Sequence, residues 1–442
     1  EYQKDRVRQI EDAFVTHQSV MVQMPTGTGK TVLISEVVKR EERREKNPCV
    51  WIVVHRRELV EQIKETLERR LGTSLDAERE KSNVIEVFSI QWLSRHYQEL
   101  EERPTLIVID EAHHALAKTY AEMMNAYPEA KKLGVTATPC RLNKRGFTDL
   151  FEILLTSHSI SNFIKDGYLS DFDYVSLNPS CEDQKKIDRM SKRATDGDYS
   201  IAEMQDVLDC KPSIGRLYQT IKKFAVEKKG IVYAINIEHA EHIAAYYREQ
   251  GIEAVAISSK TPLSERKSII ERFKGTSIDS KPNYASLNLS MPMERKADAD
   301  NKSLSTENGG KTDKTDTATE QMGYIQVLVN VDLFGEGFDC PDVEFIQLAR
   351  PTLSLAKYLQ MVGRGLRVAK SKECCIILDN VGLYRLFGLP TTEWNWAAMF
   401  LGNQSGMGEV DMAKDFALKT IGACYSGQKR EWMDMENDTM VV

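Results

Sequence analysis

A glycine-rich segment near the start of the chain carries residue types that bind phosphate. Residues 24–31 are MPTGTGKT, and they follow an apolar run and precede a helical pattern. Gly27 and Gly29 permit a tight backbone approach to phosphate oxygens, and the start of the helix favours anions. Lys30 would reach the outer phosphates, and the Thr31 hydroxyl would bind Mg²⁺. The alternative is a Gly/Thr-rich turn with a solvated lysine, which the strand before and the helix after it disfavour.

The backbone amides of this loop, those of Thr26 and Thr28 included, are expected to surround the phosphates.

Two adjacent carboxylates, Asp110 and Glu111, follow the strand-like run TLIVI and begin the sequence DEAHH. Ligands of α/β proteins lie beyond the carboxyl ends of parallel strands, so both side chains are predicted to face the phosphates. Asp110 would hold Mg²⁺, and Glu111 would orient and deprotonate the attacking water. A lone Asp-Glu pair is more typical of a helix N-cap, but its combination with the loop favours hydrolysis.

Three further segments extend this pattern in a fixed order. TATP occupies residues 136–139, NVDLFGEGFDCPD occupies 330–342, and QMVGRGLR occupies 360–367. Together with the loop and the DEAH segment, they resemble the conserved motifs of superfamily 2 helicases. The best match is the DEAD/DEAH-box group that includes XPB-like helicases and restriction-enzyme motor subunits. Met24 replaces the first glycine of the general loop pattern, a departure that is common in this superfamily.

The resemblance covers the chain from Gln3 to about residue 379 and implies two tandem RecA-like domains. The second domain would have no phosphate loop of its own, so a single ATP with Mg²⁺ would lie in the cleft between them. By the same resemblance, Gln3 matches the adenine-reading glutamine, Gly337 and Asp339 contact the nucleotide, and Gln360 helps to place the water.

Two arginines after Gln360 would complete this site. The resemblance implies that Arg364 and Arg367 meet the γ-phosphate, where guanidinium groups neutralise the charge of the transition state. Without the other motifs, these arginines would be interpreted as neighbours on a solvated helix face.

Residues that could contact nucleic acid or couple it to ATP are also implied by the resemblance. Arg56, after the run CVWIVVH, and Gln91, in FSIQ, lie where strands end and helices begin. Thr136 and Thr138 belong to the TATP segment, which links the nucleotide state to the nucleic-acid path in such motors. Contacts to the phosphates of nucleic acid fix the position of the protein on the strand without reading the base sequence. The alternative interpretation of Arg56 is a solvated surface charge.

The elements that must position these residues alternate between short apolar runs and helical patterns, which predicts an α/β fold with parallel sheets. Domain 1 is predicted at 1–165, a connecting segment at 166–212 and domain 2 at 213–385, where the alternation restarts. A polar stretch at 276–322 cannot bury enough apolar surface to fold alone and is predicted to be a disordered insertion. The aromatic segment 386–442 is predicted to be a small packed appendage.

Composition limits the remaining possibilities. The chain has 442 residues, a net charge of -7 and eight scattered cysteines. No apolar run approaches a membrane span, and no Cys/His cluster has metal-ligand spacing. A reducing cytoplasm is the expected location, with nucleic acid as the partner, DNA in preference to RNA, and possible protein partners through the C-terminal region.

The sequence therefore predicts a nucleic-acid-stimulated ATPase that acts as a helicase or translocase. The two activities share every motif named above. The alternative from another class is a nucleotide-gated subunit that binds nucleic acid or recruits partners without unwinding, with ATP as a switch.

Overall fold

The computed structural model describes residues 2–55, 58–72, 75, 84–115, 118–176, 181–275, 325–331, 340–403, 424–426 and 429–431. The strands are β1 Ser19–Gln23, β2 Cys49–Val54, β3 Val84–Ser89, β4 Leu106–Asp110, β5 Lys131–Thr136, β6 Ile153–Thr156, β7 Asp171–Ser176, β8 Gly230–Tyr233, β9 Ala254–Ile257, β10 Val327–Asn330, β11 Phe345–Leu348, β12 Cys374–Asp379, β13 Cys424–Ser426 and β14 Lys429–Glu431. The helices are α1 Tyr2–Thr16, α2 Lys30–Arg44, α3 Glu58–Leu71, α4 Ile90–His96, α5 Lys118–Ala126, α6 Ile160–Lys165, α7 Glu182–Asp188, α8 Ile201–Leu208, α9 Lys211–Phe224, α10 Ile237–Glu249, α11 Leu263–Gly275, α12 Leu355–Gly363, α13 Tyr384–Phe387 and α14 Trp396–Phe400, with a 3₁₀ turn at Ala112–His114.

The first sheet has six strands in the order β3-β2-β4-β5-β1-β6, and every pairing is parallel. Strands β1 and β2 are buried along their whole length, as expected of parallel strands with helices on both faces. Their apolar residues form two cores, one on each side of the sheet. We call the part of the chain packed around this sheet domain 1.

The second sheet has the order β14-β13-β7-β12-β11-β8-β10-β9, in which the six strands β7 to β12 are parallel and β13–β14 is an antiparallel hairpin. We call the part packed around it domain 2. The predicted fold class, two tandem RecA-like parallel-sheet domains, is confirmed.

One element differs from the predicted layout. The segment 166–212, expected to connect the domains, contributes β7 to the second sheet, paired with β12 along six residues. Buried Phe172 and Tyr174 of this strand alternate with Asp171 and Asp173, which are only partly buried. The aspartates make the segment look polar in sequence although one face joins the core.

The C-terminal segment lies across both domains. Met399 belongs to the core of domain 2, whereas its neighbour Phe400 belongs to a core of domain 1. None of the helices in the described ranges has the length and apolar character of a membrane span. The predicted insertion 276–322 lies outside the described residues, as does most of 404–442.

Candidate active site

The glycine-rich segment forms a loop between β1 and α2, which we call the P-loop (residues 24–31). Its start is held by a hydrogen bond from Met24 N to Thr136 O, 2.9 Å. Gly27 and Gly29 adopt φ angles of 88° and 89°, in the left-handed region that glycine tolerates best. Gly29 is the N-cap of α2 and offers no side chain to cap it. The first amides of α2 are therefore positioned for an anion.

The predicted adenine-reading residue lies against this loop. Gln3 Nε2 donates to Thr28 O at 3.2 Å, and the Tyr2 hydroxyl donates to the same oxygen. The Tyr2 ring meets Tyr168 edge-on, with centroids 4.8 Å apart. Tyr168 is 43% exposed and lines the cavity described below. Neither tyrosine was predicted, because the only local signal for Tyr2 is its place before Gln3 and Tyr168 has none.

The predicted base is paired with the predicted phosphate-binding lysine. Lys30 Nζ lies 2.7 Å from Glu111 Oε1, and His113 Nδ1 lies 3.4 Å from Glu111 Oε2. Burial raises the pKa of Glu111, but Lys30 and His113 outweigh burial and hold that pKa below its usual range. Glu111 has φ 48° and ψ 52°, an uncommon left-handed conformation of the kind found at functional sites. This carboxylate is ionised and aimed by its neighbours.

His113 joins the two domains. Its Nδ1 is 2.9 Å from Thr136 Oγ1, and its Nε2 is 3.5 Å from Nε2 of Gln360, which lies 247 residues away on α12. Thr136 Oγ1 also accepts a hydrogen bond from Thr138 N, 3.2 Å. The DEAH segment, the TATP segment and α12 therefore form one buried network. His113 had no predicted role, although it stands within the DEAH pattern.

The P-loop and the end of α12 are in contact. A Cβ on Gly363 would lie 2.7 Å from Thr26 Cβ, and one on Gly27 would lie 3.4 Å from Arg367 Cγ. Arg364 is the C-cap of α12 and is buried, while Arg367 is half-buried. The structure thus brings the two predicted arginines to the loop.

A cavity of 450 Å³ lies beside this contact, and its volume suits a nucleotide. Residues from both domains line it, among them Thr26, Gly27, Gly29, Lys30, Thr31, Asp110, Glu111, Arg364 and Arg367. The cations and amides fit phosphates, and the Thr31 hydroxyl with the Asp110 carboxylate supplies the oxygen ligands that Mg²⁺ prefers. The donor set fits Mg²⁺-ATP.

Of the two residues predicted to contact nucleic acid, Gln91 lies within the described part of the chain and Arg56 does not. Gln91 is exposed, and its Nε2 donates to His55 O at 2.6 Å, which ties the end of β2 to α4. The His55 ring stacks on His114 with centroids 4.0 Å apart. Arg56, Gly337 and Asp339 lie outside the described residues. Thr28 turns its hydroxyl into the P-loop, where it donates to Pro25 O at 2.8 Å.

Comparison with known families matches both parts of the chain. A family described as "Type III restriction enzyme, res subunit" matches residues 1–141, and a "Helicase conserved C-terminal domain" matches residues 302–369. The second match begins within the stretch predicted to be an insertion.

Three curated relatives align with most of the chain. A "51.5 kDa protein" of a Lactococcus phage is 31% identical over 394 residues, which are 89% of this chain and 72% of the phage protein. The "Putative ATP-dependent helicase IRC3" of Saccharomyces cerevisiae is 26% identical over 86% of this chain. The "DNA 3'-5' translocase XPB2" of Sulfurisphaera tokodaii is 24% identical over 85% of this chain and 80% of its own length. The chain spans about half of the IRC3 protein, 51%.

Among solved structures, a fragment of a putative HsdR subunit of a type I restriction enzyme from Vibrio vulnificus has the same fold. Its TM-score is 0.58 at 18% identity, over 88% of this chain and 65% of that one.

Proposed function

The chain belongs to superfamily 2 of the helicases, in the group of XPB and the restriction-enzyme motors, and we propose that it couples ATP hydrolysis between its two domains to movement along nucleic acid. The observation that carries the proposal is the buried network from Lys30 through Glu111 and His113 to Gln360. It connects the phosphate-binding loop of domain 1 to a helix of domain 2. Any change in the separation of the domains must therefore alter the geometry around the base.

The residues of the site divide the work between ground state and transition state. Lys30 and the P-loop amides would hold the phosphates, and Thr31 with Asp110 would hold Mg²⁺. Bound Mg²⁺-ATP supplies the phosphoanhydride bond whose cleavage drives the cycle. Glu111 accepts the proton of the attacking water, and His113 holds Glu111 from its Oε2 side.

The arginines act only when the cleft is closed. Arg364 and Arg367 come from the opposite side of the cavity and stabilise the charge on the γ-phosphate oxygens. Because they belong to domain 2, closure of the cleft is a condition for turnover. Nucleic acid that favours closure would raise the rate.

We propose DNA as the track and translocation, with or without strand separation, as the output. The support is the relative named as a DNA translocase, because the chain aligns with 80% of that relative's length. In domain 1, His55, Gln91 and His114 lie close together just beyond the carboxyl ends of β2, β3 and β4. This edge of the sheet is the proposed contact with the sugar-phosphate backbone of the nucleic acid. Arg56 is proposed to add a phosphate contact there.

The alternative, a nucleotide-gated recruitment subunit, needs ATP binding but no transition-state machinery. The pairing of Lys30 with an ionised Glu111, and two arginines lining the same cavity, favour hydrolysis over switching.

The test is the steady-state ATPase rate with saturating single- and double-stranded DNA and RNA. We expect stimulation by DNA of at least tenfold over the basal rate. Strand-displacement and triplex-displacement assays on the same samples separate a helicase from a double-strand translocase. ATP binding without turnover on any nucleic acid would refute the proposal and support the switch.

A further inference from the structure

Residues 388–403, which we call the strap, connect the two domains a second time. The strap leaves domain 2 at Gly388, whose carbonyl accepts a hydrogen bond from the Tyr358 hydroxyl at 2.9 Å. Tyr358 is fully buried on α12, two residues before Gln360. The other end of the strap reaches domain 1 at Phe400. The strap thus runs from the helix that carries the transition-state residues to the domain that carries the P-loop.

The contact with domain 1 is close and specific. The Phe400 ring lies parallel to Phe147, with centroids 6.3 Å apart and planes at 4°. Phe147 N donates to Phe400 O at 2.8 Å. A Cβ on Gly146 would lie 2.7 Å from Phe400 O and 2.8 Å from Gly402 N. Only glycine at position 146 lets the two backbones approach this closely.

Arg141 lies between the strap contact and the DEAH segment. Its guanidinium carbon is 3.5 Å from the centroid of Phe147, the ring on which Phe400 stacks. Its Nε donates to His113 O at 2.8 Å, and one Nη donates to Gly146 O at 2.8 Å. Burial lowers the pKa of Arg141 to about 9, so holding a charge here costs free energy, of which the two carbonyls and the ring offset a part.

We propose that Arg141 is a positioning residue for ATP hydrolysis, which fixes the DEAH backbone at His113 when the strap is docked on Phe147. This inference rests on the proposed function. The imidazole of His113 contacts Glu111, Thr136 and Gln360, so a shift of its backbone disturbs the base and the link between domains together. The hydrogen bonds and ring contact that Arg141 makes in the described part of the chain go to His113, Gly146 and Phe147 and not to the P-loop, so ATP affinity should be insensitive to this change.

The experiment separates kcat from KM. Arg141→Met keeps much of the length and removes both donated hydrogen bonds, and Arg141→Lys keeps the charge. Gly146→Ala forces the strap away while residue 141 stays an arginine and the Gly146 carbonyl that accepts its hydrogen bond is retained. We expect kcat of the Met and Ala variants to fall at least about tenfold, because misplacing catalytic groups by about 1 Å costs up to 10²-fold. KM for ATP should stay within about twofold, and Arg141→Lys should recover part of kcat.

The chain offers a matched control in domain 2. Arg193 also lies over a ring, 4.7 Å from the centroid of Tyr199, and donates to the carbonyls of Met190 and Lys192. Arg193→Met should leave kcat unchanged. Phe400→Leu keeps an apolar side chain but removes the ring that lies against Phe147, so it weakens strap docking only mildly. It should lower kcat by a few-fold and tests the strap contact if the other variants fail to fold.

The outcomes are distinct. Wild-type protein without any ATP turnover would overturn the proposed function and this inference with it. An active wild type with unchanged kcat in Arg141→Met and in the strap variants would overturn this inference alone. A rise in KM that matches the loss of kcat would also overturn it, because Arg141 would then act on binding.

Discussion

The helices that follow the first strand of each sheet begin differently. β1 lies between the parallel strands β5 and β6, and β7 lies between the parallel strand β12 and the antiparallel strand β13. After β1, α2 begins behind Gly29 in a left-handed conformation, with no side-chain cap. After β7, α7 begins behind Cys181, whose sulfur accepts a hydrogen bond from Gln184 N. We call the start of α2 the open helix start, because no side chain caps it, and the start of α7 the closed helix start, because the Cys181 side chain caps it.

The charged side chains at the two helix starts also favour an anion at α2 and disfavour one at α7. α2 begins with Lys30, which faces the cavity, whereas α7 begins with Glu182 and the buried Asp183. Asp183 accepts hydrogen bonds from Arg216 Nε at 2.6 Å and from Ser213 Oγ at 2.8 Å. Carboxylates at the positive end of a helix dipole stabilise the helix and repel phosphate. The helix after the first strand is thus suited to binding an anion in domain 1 and is capped by its own side chains in domain 2.

The largest effect is expected at the open helix start. Lys30→Ala should lower ATP affinity at least about tenfold and abolish turnover, because a charge-assisted contact to phosphate is lost. Glu111→Gln should keep ATP affinity and reduce kcat by about 10²–10⁴, the usual contribution of a general base. ATPase kinetics and binding of a fluorescent ATP analogue measure the two quantities. Lys39, on the same helix with its Nζ 2.7 Å from Arg70 O, provides the control Lys39→Ala. Glu111→Gln with near wild-type turnover would refute its role as base.

The closed helix start should affect stability and not catalysis. Asp183→Asn leaves Arg216 half-buried without its anion, and breaking such a pair costs about 3 kcal/mol. We expect a lower urea midpoint with an unchanged kcat per folded molecule. Glu182→Gln, at an exposed position in the same turn, should change stability by less than about 1 kcal/mol. A tenfold loss of kcat in folded Asp183→Asn would break the comparison.

A smaller, pH-dependent effect is expected at α10, the helix after β8. Burial lowers the pKa of His239 to about 4, and its Nδ1 accepts a hydrogen bond from Ile235 N. The native state therefore holds the ring neutral, whereas the unfolded chain binds a proton below about pH 6.5. The free energy of unfolding should fall as pH drops from 6.5 towards 4, by up to about 1.4 kcal/mol per unit.

Urea unfolding at several pH values measures this slope, and His239→Gln should remove its share of it. His242 is the control, because its hydrogen bond to Asp209 raises its pKa and gives a contribution that is present at low pH and lost as pH rises. The same slope in His239→Gln and wild type would show that another group carries it.

The parts of this architecture that sequence could predict are local. The P-loop and the DEAH segment each combine a buried strand with residues directly after it, so strand ends place them. Gln3 could be placed by resemblance because it opens the first helix. In each case a few adjacent residues contain the whole signal.

The parts that sequence missed depend on distant contacts. The approach of Gln360 to His113 joins residues 247 apart, and no local pattern records it. Arg141 follows TATP closely, but its role depends on Phe147 and on the strap. Strand β7 was hidden by its two aspartates, because its pairing with β12 is what buries the other face.

The central claim is that the two domains share one ATP site, and Arg364 tests it most directly. We would measure ATP turnover with saturating DNA, and the affinity for a fluorescent ATP analogue, in wild type, Arg364→Ala and Arg367→Ala. Arg385→Ala is the control, since Arg385 pairs with Asp188 on domain 2 away from the cavity. We predict a loss of stimulated turnover of about 10³-fold or more for Arg364→Ala and a similar loss for Arg367→Ala, with ATP affinity changed only modestly. A fall of less than threefold in both variants would contradict the shared site.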